Sequence, residues 1–515
     1  MDTGSDHTWI LPGSAVRPWR NGTPMGFDGA MNLLGQRDLG PSGEHPHGTY
    51  EPMSTLDATF MYAEDGVTHM HIGSCAVFAG PPPTIGEIRS LIGSKMPLLR
   101  RYRQKVRVVP GNLAHPVWVD DADFDLRSHI LHAALPEPGG EQELYALMGR
   151  LMSEELDRSI PLWEEWFVEG LSGDRWALIS KVHHCMVDGV SGTDLMTVLL
   201  DADDDAAIHP PVPWLPIPQP SDSRLLLDAS ADLASSPARR LRALASDGRH
   251  PLRTLGHLGD VANGLRSLAR CLAPTKASSL NGPIGSQRRW AAGRCTLDDV
   301  KTIRTAFGGS VNDVVLAAIT GAFRAVLIAS GDDVGATDVV HSLVPVSLRR
   351  EGDHELDNQV SMIIAELPIG IGDARARLAA ICAQMTLLKA SHQATAATAI
   401  TDTAAHAPPA LVAFAVRAAG TLLRSTGQQI IDTVTTNVPG PRYPLYAIGR
   451  EMLEYLPFVP IGQGVRIGVA IMSYNGVITF GITGDDASAP DVQFMARQIE
   501  SEIAALLASS VEVSP

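Results

Sequence analysis

A run of prolines in the middle of the chain divides it into two blocks, and this division limits the available folds more than any other feature. The segment from 203 to 220 is first acidic and then contains six prolines. Proline removes a backbone donor and favours an extended chain over packed helix or sheet. The chain has 515 residues, 45% of them hydrophobic, which exceeds the length that one core usually organises. We therefore predict two domains joined here.

The first block contains an unpatterned extension followed by a domain. Residues 1–51 are rich in Gly, Pro, Asp and His without hydrophobic periodicity, which predicts a disordered extension. The N-terminal domain is predicted over 52–205, beginning at the capping pattern Ser54-Thr55-Leu56-Asp57. Apolar runs predict strands at 72–78 and 176–182.

The second block is predicted to be a linker with helices over 206–280 and a C-terminal domain over 281–515. The best helix runs from Ser310 to Ser330, because its apolar residues recur at i, i+3 and i+4 and Gly331 closes it. Another amphipathic helix is predicted after Pro490. Strands are predicted at 339–346, 360–367, 465–472 and 477–482. The pattern as a whole predicts a mixed α/β fold.

Charge and cysteine usage exclude several classes of protein. The 41 basic and 57 acidic residues give a net charge of -16, which repels nucleic-acid phosphates, so we expect no nucleic-acid partner. The five cysteines form no CxxC pair, which indicates neither a disulfide framework nor a zinc site and fits a reducing cytoplasm. The first residues lack the basic flank, apolar stretch and cleavage site of a signal peptide, so none is expected, and no uncharged apolar run reaches about 18–20 residues. We expect a cytoplasmic protein, either soluble or peripherally membrane-bound.

The stretch from His183 to Gly189, His-His-Cys-Met-Val-Asp-Gly, carries the chemistry. It follows the predicted strand 176–182 and precedes a helix cap at 191–194, so it lies on a strand-to-helix turn. Forming an ester from a thioester requires a group that takes the proton of the attacking hydroxyl, and one histidine suffices near neutral pH. Asp188, just before Gly189, is expected to brace the turn rather than react.

The HHxxxDG pattern is the active-site motif of the chloramphenicol-acetyltransferase-like superfamily, and the chain from 52 to 510 resembles its bacterial wax ester synthase/diacylglycerol O-acyltransferase family. Further family elements are Pro161-Leu162-Trp163, Asn312-Asp313, the run from Val344 to Arg349, and Asn437-Val438-Pro439-Gly440-Pro441. The resemblance implies two α/β domains with mixed sheets and an active-site tunnel at their interface.

The same resemblance implies a function and a set of site residues. It implies acyl-CoA as donor and co-substrate, no cofactor, and a lipid alcohol as acceptor, either diacylglycerol or a long-chain alcohol. His184 is then the general base, His183 supports it, and Asp188 pairs with Arg349. The expected substrate-binding residues are Asn312, Asp313, Pro161, Leu162 and Trp163. Association with the inner membrane face or lipid droplets is also expected, because the products are apolar.

Each of these residues also has a structural interpretation. The two histidines of the motif would then be structural or metal ligands, and the first-turn residues Asn312 and Asp313 would complete helix-end hydrogen bonds. Pro161-Leu162-Trp163 would form part of the scaffold. Cys185 beside the base invites a Cys–His nucleophile interpretation, although the motif requires no particular residue there. His69 and His71 share a strand face, but no third ligand is near them in sequence and no metal is assigned.

Two other functions compete with lipid O-acyl transfer. One is a condensation-type acyltransferase that takes its acyl group from a carrier protein, and the other is a non-catalytic lipid-binding protein of the same fold. The Pro-Leu-Trp element and the lack of an adjacent carrier domain argue against the first. The intact histidine motif argues against the second. The helices over 223–273 carry arginines among leucines and either lie on an anionic membrane or pack between the domains. The sequence does not determine the oligomeric state.

Overall fold

Two six-stranded mixed sheets form the frame of the protein. The computed structural model describes residues 50–186, 198–205, 213–247, 278–347, 360–390, 413, 431–462 and 464–511. Asp188, Gly189 and Arg349 lie outside these ranges, as do residues 1–49. The mixed α/β class and the two mixed sheets predicted from the sequence are confirmed.

The N-terminal sheet has its longest antiparallel strands at its centre, and a three-stranded sheet lies beside it. The strands of the N-terminal sheet, in spatial order, are β12 (Tyr446–Ala447), β13 (Arg450–Phe458), β2 (His71–Ala79), β7 (Arg175–His183), β6 (Trp163–Leu171) and β5 (Ile130–Ala134). The strands of the small sheet are β1 (Glu51–Pro52), β4 (Val117–Asp120) and β3 (Gln104–Arg107).

The C-terminal sheet contains both parallel and antiparallel pairs. Its strands, in spatial order, are β10 (Val360–Leu367), β9 (Val340–Ser347), β11 (Thr433–Pro439), β14 (Ile467–Tyr474), β15 (Val477–Asp485) and β8 (Arg288–Thr296). Strand β11 is parallel to both β9 and β14, while the other neighbouring strands are antiparallel. The predicted strands at 339–346, 360–367, 465–472 and 477–482 correspond to β9, β10, β14 and β15.

Eight helices of the described chain pack around the sheets. They are α1 (Thr55–Ala63), α2 (Ile85–Lys95), α3 (Glu141–Leu151), α4 (Asp222–Asp247), α5 (Leu297–Phe307), α6 (Val311–Ala329), α7 (Ala374–Ala390) and α8 (Val492–Val511). The predicted caps are present, since the Ser54 side chain accepts the Asp57 amide and Ser310 forms a reciprocal capping box with Asp313.

Helix α6 is the core helix of the C-terminal half. Its buried side chains join one large hydrophobic cluster with residues of α8, β14 and β15. By length and composition it is the one described helix able to span a membrane, and 72% of its apolar stretch is buried inside the fold. Its apolar residues therefore act as protein core.

Strand β13 joins the two halves of the molecule. Although it lies late in the chain, it pairs antiparallel with β2, with Phe458 opposite Gly73. It also approaches β15, where a Cβ on Gly481 would stand 1.8 Å from the Pro457 carbonyl oxygen. Only glycine fits this approach. The sequence patterns predicted no strand at 446–458. Only the tertiary structure shows that strands from the second half of the chain complete the N-terminal sheet.

Candidate active site

The histidine pair lies where the central strand β7 ends. Strands β2 and β7 pair along their whole length, which places His183 directly opposite His71. His184 begins a short 3-10 turn that ends at Met186. Its backbone N–H donates to the Met70 carbonyl at 2.8 Å, so this turn is attached to the neighbouring strand. The predicted strand 176–182 is thus confirmed, while the helix predicted after 191–194 begins outside the described residues.

His183 is buried and fully hydrogen-bonded. Its backbone N–H donates to the Leu162 carbonyl at 2.9 Å, and its ring Nδ1 accepts the backbone N–H of Cys185 at 3.1 Å. Because Nδ1 acts as an acceptor, Nε2 carries a proton, and it faces Glu64 Oε2 at 3.3 Å. These contacts hold the ring in place and agree with a supporting role.

Glu64 is a site residue that the sequence analysis missed. Its carboxylate contacts His183, binds the Arg158 guanidinium and accepts the backbone N–H of Met70. Burial raises the pKa of this carboxyl, but the hydrogen bonds from His183 and Arg158 and the charge of Arg158 outweigh it and lower the pKa to about 2. A local signal does exist. Glu64 follows the end of α1, where the helix dipole disfavours an acid, so a partner elsewhere in the chain is to be expected.

His184 has very different surroundings from its neighbour. Its ring stacks on Phe60 of α1, with 4.0 Å between ring centroids and 15° between planes. Its Nδ1 is buried and has no hydrogen-bond partner among the described residues. Burial lowers the pKa of His184 to about 4. The ring is therefore neutral at neutral pH and has a nitrogen available to accept a proton.

The surroundings of Cys185 resemble those of a catalytic cysteine, with a histidine next to the thiol and a carboxylate next to the histidine. Its Sγ lies 2.9 Å from His183 Nδ1, and the other nitrogen of that ring faces Glu64. However, the thiol is buried against Met61, and burial raises its pKa well above the ordinary value. Since the thiolate is the nucleophilic form, this environment works against covalent catalysis.

The Pro161-Leu162-Trp163 element forms a buried wall behind His183. Trp163 stacks on His129 at 4.5 Å between centroids and donates its indole N–H to the Tyr102 carbonyl at 2.8 Å. The Leu162 carbonyl is the acceptor that holds the His183 backbone. In this arrangement Trp163 packs in the core of the N-terminal sheet and the element supports the histidine pair.

Asn312 and Asp313 lie in the first turn of α6 and have separate partners. The Asp313 carboxylate accepts the Ser310 backbone N–H at 2.8 Å, which completes the capping box. Asn312 instead reaches strand β11, where Asn437 Nδ2 donates to its Oδ1 at 3.1 Å. The next residue, Val438, packs against the hydrophobic cluster that contains Cys185. Asn437 was noted in the sequence only as part of the resemblance and not as a site residue.

The remaining predictions for the site concern metal binding, the histidines at 69 and 71, and the pair of Asp188 and Arg349. Among the described residues no group of three or more His, Cys, Asp or Glu side chains is arranged to hold a metal ion. His71 is the first residue of β2, and its Nε2–H donates to the Met152 carbonyl at 2.8 Å, with His69 just before the strand. The predicted pair of Asp188 and Arg349 lies outside the described residues.

Two mixed sheets with a histidine pair at the end of a central strand agree with the fold and motif expected for the chloramphenicol-acetyltransferase-like class. Residues 53–315 match the wax ester synthase/diacylglycerol acyltransferase catalytic domain, and 356–507 match the C-terminal domain of the same family. The chain therefore belongs to the wax ester synthase/diacylglycerol acyltransferase family.

Individual relatives agree with this assignment. A probable diacylglycerol O-acyltransferase of Mycobacterium tuberculosis (strain ATCC 25618 / H37Rv) is 36% identical over 461 residues, which are 89% of this chain and 96% of that protein. The wax ester synthase/diacylglycerol acyltransferase from Marinobacter aquaeolei VT8 superimposes with a TM-score of 0.64 at 25% identity, over 90% of this chain and 100% of that chain.

A more distant structure shares the fold alone. The starter condensation domain of rhizomide synthetase, in complex with C8-CoA and Leu-SNAC, has a TM-score of 0.52 at 12% identity. The match covers 90% of this chain and 95% of that domain. The fold expected from the HHxxxDG pattern is thus confirmed.

Proposed function

We propose that this protein transfers the acyl group of acyl-CoA to the hydroxyl of diacylglycerol, forming triacylglycerol, and also to long-chain alcohols, forming wax esters. The observation that carries the proposal is the contrast between the two histidines. His183 is held by the Leu162 carbonyl and faces Glu64, while the His184 ring is neutral and its Nδ1 has no hydrogen-bond partner in the part of the chain that the structure describes. The family and the C8-CoA complex of the distant condensation domain support acyl-CoA as donor.

The reaction requires one base and no covalent enzyme intermediate. His184 takes the proton of the acceptor hydroxyl as its oxygen attacks the thioester carbonyl carbon. The tetrahedral intermediate then collapses, the carbon–sulfur bond breaks, and the protonated imidazole returns the proton to the CoA thiolate. The products are an ester and free CoA. Asn312 of α6 is the candidate donor to the oxyanion, and Asp188 braces the turn after the histidine pair.

Two alternatives make different predictions. A condensation-type enzyme takes its acyl group from a carrier protein and is inactive with free acyl-CoA. A non-catalytic lipid-binding protein of this fold does not require a base at the end of β7. The buried Glu64 carboxylate, which pairs with the buried His183 and with the exposed Arg158, is difficult to explain in a simple binder, because burying a charged group costs free energy unless it is paired.

The test is an assay of purified protein with labelled acyl-CoA and either diacylglycerol or hexadecanol. His184→Ala is expected to lower turnover by about 10²- to 10⁴-fold, the usual range for one acid–base group, without changing the melting temperature much. His183→Ala is expected to act by destabilising the protein. A His184→Ala protein with normal turnover contradicts the mechanism.

Labelling separates the base from the nucleophile. Incubation with acyl-CoA alone, followed by denaturation, is expected to leave no acyl group attached to the protein, and Cys185→Ala is expected to keep its activity. A labelled parent protein together with an inactive Cys185→Ala variant would instead establish Cys185 as the nucleophile.

We also propose that the protein works in the cytoplasm, peripherally at the inner membrane face or at lipid droplets. The support is chemical, since both the acceptor and the product are apolar. Fractionation of cells that accumulate neutral lipid tests this. Recovery solely in the soluble fraction would overturn it.

A further inference from the structure

One side of helix α1 lies against the turn that carries the histidine pair. The ring of Phe60, in the second half of the helix, stacks on the ring of His184. Glu64, the residue that follows the helix, faces Nε2 of His183. Phe60 and Glu64 are four residues apart, so they lie on the same side of the helix. Each of the two histidines is therefore contacted by a side chain from this one segment.

The position of Phe60 is fixed because helix α1 is held at several points. At its start, the Ser54 side chain accepts the backbone N–H of Asp57. Near its end, the Tyr62 hydroxyl is hydrogen-bonded to Nδ1 of His115 at 3.1 Å. The buried side chains of the helix belong to the hydrophobic cluster that packs on one face of the N-terminal sheet. The contact between Phe60 and the base is thus part of the fold.

The stack leaves no space for water between the two rings. Their centroids are 4.0 Å apart and their planes differ by 15°. Atoms in van der Waals contact lie about 3.5–4.0 Å apart, so the rings touch across this gap. Rotation of the His184 imidazole about its Cβ–Cγ bond would drive the edge of the ring into Phe60. Phe60 therefore covers one face of the imidazole and also limits its rotation.

Solvent is close to the base on this side of the molecule. Leu56 lies one turn before Phe60 on the same side of α1, and its side chain is 53% exposed. Phe60 and His184 are themselves partly exposed, so the base is within reach of small molecules from solution. A smaller side chain at position 60 would therefore open the covered face of the imidazole to water.

Water is the competing acceptor in this reaction. A general base that takes the proton of an alcohol can equally take the proton of water. The water oxygen then attacks the thioester carbonyl carbon, the carbon–sulfur bond breaks, and the base returns the proton to the CoA thiolate. The products are a fatty acid and free CoA, and no ester is formed. Exclusion of water from an active site prevents side reactions of this kind.

We propose that Phe60 is a positioning residue that holds the imidazole of His184 and keeps water from one of its faces, so that the base serves a lipid alcohol and not water. This inference rests on the proposed function, in which His184 is the base, and it names the residue that determines the choice between the two acceptors. The exposed edge of Phe60 offers an apolar surface to the carbon chain of an alcohol, from which water gains nothing. Phe60 itself exchanges no proton.

The experiment measures the ester and the free fatty acid that form from labelled acyl-CoA in the presence of hexadecanol. For Phe60→Ala, the rate of ester formation is expected to fall by about 10-fold or more, because the base is no longer held in place. The ratio of fatty acid to ester is expected to rise by about 10-fold or more, because water reaches the base. Phe60→Leu keeps an apolar cover without a flat ring. It is expected to lower ester formation by about 3- to 10-fold and to keep the ratio within about 3-fold of the parent.

Phe494→Ala is the matched control. Phe494 is also a half-buried phenylalanine of a helix, α8, and it packs against the hydrophobic cluster of the C-terminal half. Its change is expected to leave the ratio of fatty acid to ester at the parent value, and melting temperatures show that all variants remain folded. An equal rise of the ratio in Phe494→Ala and Phe60→Ala would overturn the inference, because loosened packing anywhere in the protein would then explain the rise.

Chemical modification tests the cover over the base without relying on catalysis. Diethyl pyrocarbonate reacts with neutral, accessible imidazoles, and the masses of peptide fragments distinguish a product on His184 from one on His183. In Phe60→Ala, the rate of modification of His184 is expected to rise by about 3- to 10-fold, the range that corresponds to the loss of one stacked aromatic pair. The rate at His183 is expected to stay at the parent value, because Phe60 does not cover that ring.

The two readouts separate failure of this inference from failure of the proposed function. An unchanged rate of modification at His184, or an unchanged ratio of fatty acid to ester, would overturn the inference while acyl transfer stands. A parent that forms neither ester nor fatty acid, although Phe60→Ala still uncovers His184, contradicts the proposed function instead.

Discussion

At the scale of single residues, two adjacent histidines have opposite environments. The His183 backbone and ring are bonded to Leu162 and Cys185, and its Nε2 faces Glu64. The His184 ring stacks on Phe60, and its Nδ1 has no partner among the residues that the structure describes. Adjacent side chains on an extended strand point in different directions, so one can be anchored while the other serves the substrate.

The first prediction at this scale concerns the acid limb of the pH profile. Burial lowers the pKa of His184 to about 4, so the free enzyme keeps its base unprotonated well below pH 6.5. As the pH falls, kcat/KM is expected to stay level through pH 6.5 and to decline only on approach to about pH 4. Steady-state rates with hexadecanol, with circular dichroism at each pH to confirm folding, measure this. A decline of kcat/KM centred near pH 6.5 would show that burial does not lower the pKa of His184.

The second prediction concerns Glu64→Gln, which keeps the shape of the side chain and removes its charge. The lowered pKa of Glu64 means that its carboxylate stabilises the fold at pH values above about 4.5, and that this contribution is lost as the pH falls from there toward about 2. At pH 7 the variant is expected to lose about 1.5–3 kcal/mol of unfolding free energy, and turnover should fall because His183 is less firmly held.

Urea unfolding and turnover of the Glu64→Gln variant are compared with those of Glu169→Gln. Glu169 is a half-exposed residue of β6 that pairs with His132 at 3.2 Å, so its change is expected to have little effect. The difference in unfolding free energy between the parent and Glu64→Gln should become smaller as the pH is lowered below 4.5. Equal stability at pH 7 would mean that the carboxylate does not support the histidine pair.

At the scale of elements, the start of α6 and the end of β11 meet through two asparagines. Asn437 donates to Asn312, which fixes the orientation of the Asn312 amide and leaves its Nδ2 free to donate elsewhere. Asp313 instead caps its own helix. The two residues of the Asn-Asp element therefore have different roles. Asp313 caps helix α6, and in our proposal Asn312 faces the substrate.

The corresponding prediction is a double-mutant cycle. Asn312→Ala and Asn437→Ala are each expected to lower turnover by about 10-fold or more, and the double variant should be little worse than either, because the two residues act as a pair. Asp298→Ala is the control, since Asp298 is also the second residue of a helix, α5, but is exposed. Additive losses, or losses explained by lower melting temperatures, would contradict a paired role.

At the scale of the whole molecule, the N-terminal sheet is completed by the C-terminal half of the chain. Strands β12 and β13 form its edge beside β2, and Leu456 and Phe458 of β13 are buried in the large cluster with α6 and α8. Without them, β2 would expose a row of unpaired backbone groups. The two halves are therefore expected to depend on each other for folding.

A fragment experiment tests this dependence. A fragment of residues 50–205 is expected to show no cooperative thermal transition, and co-expression with residues 206–515 should restore a folded complex. Calorimetry and size-exclusion chromatography provide the measurement. A cooperative transition of the first fragment by itself would show that β13 is dispensable for the N-terminal sheet.

The sequence by itself determined the local elements and the family. Periodicity predicted β7, α6 and α8, and capping patterns predicted the start of α1. The HHxxxDG stretch predicted the location of the base. Each of these patterns involves residues that are close together in the sequence. Only the tertiary structure decided which distant groups meet. Glu64 and His183 are 119 residues apart, Asn312 and Asn437 are 125 apart, and β13 joins a sheet whose other long strands come from the first half of the chain. Such pairings depend on packing and loop closure over the whole fold, and no local pattern specifies them.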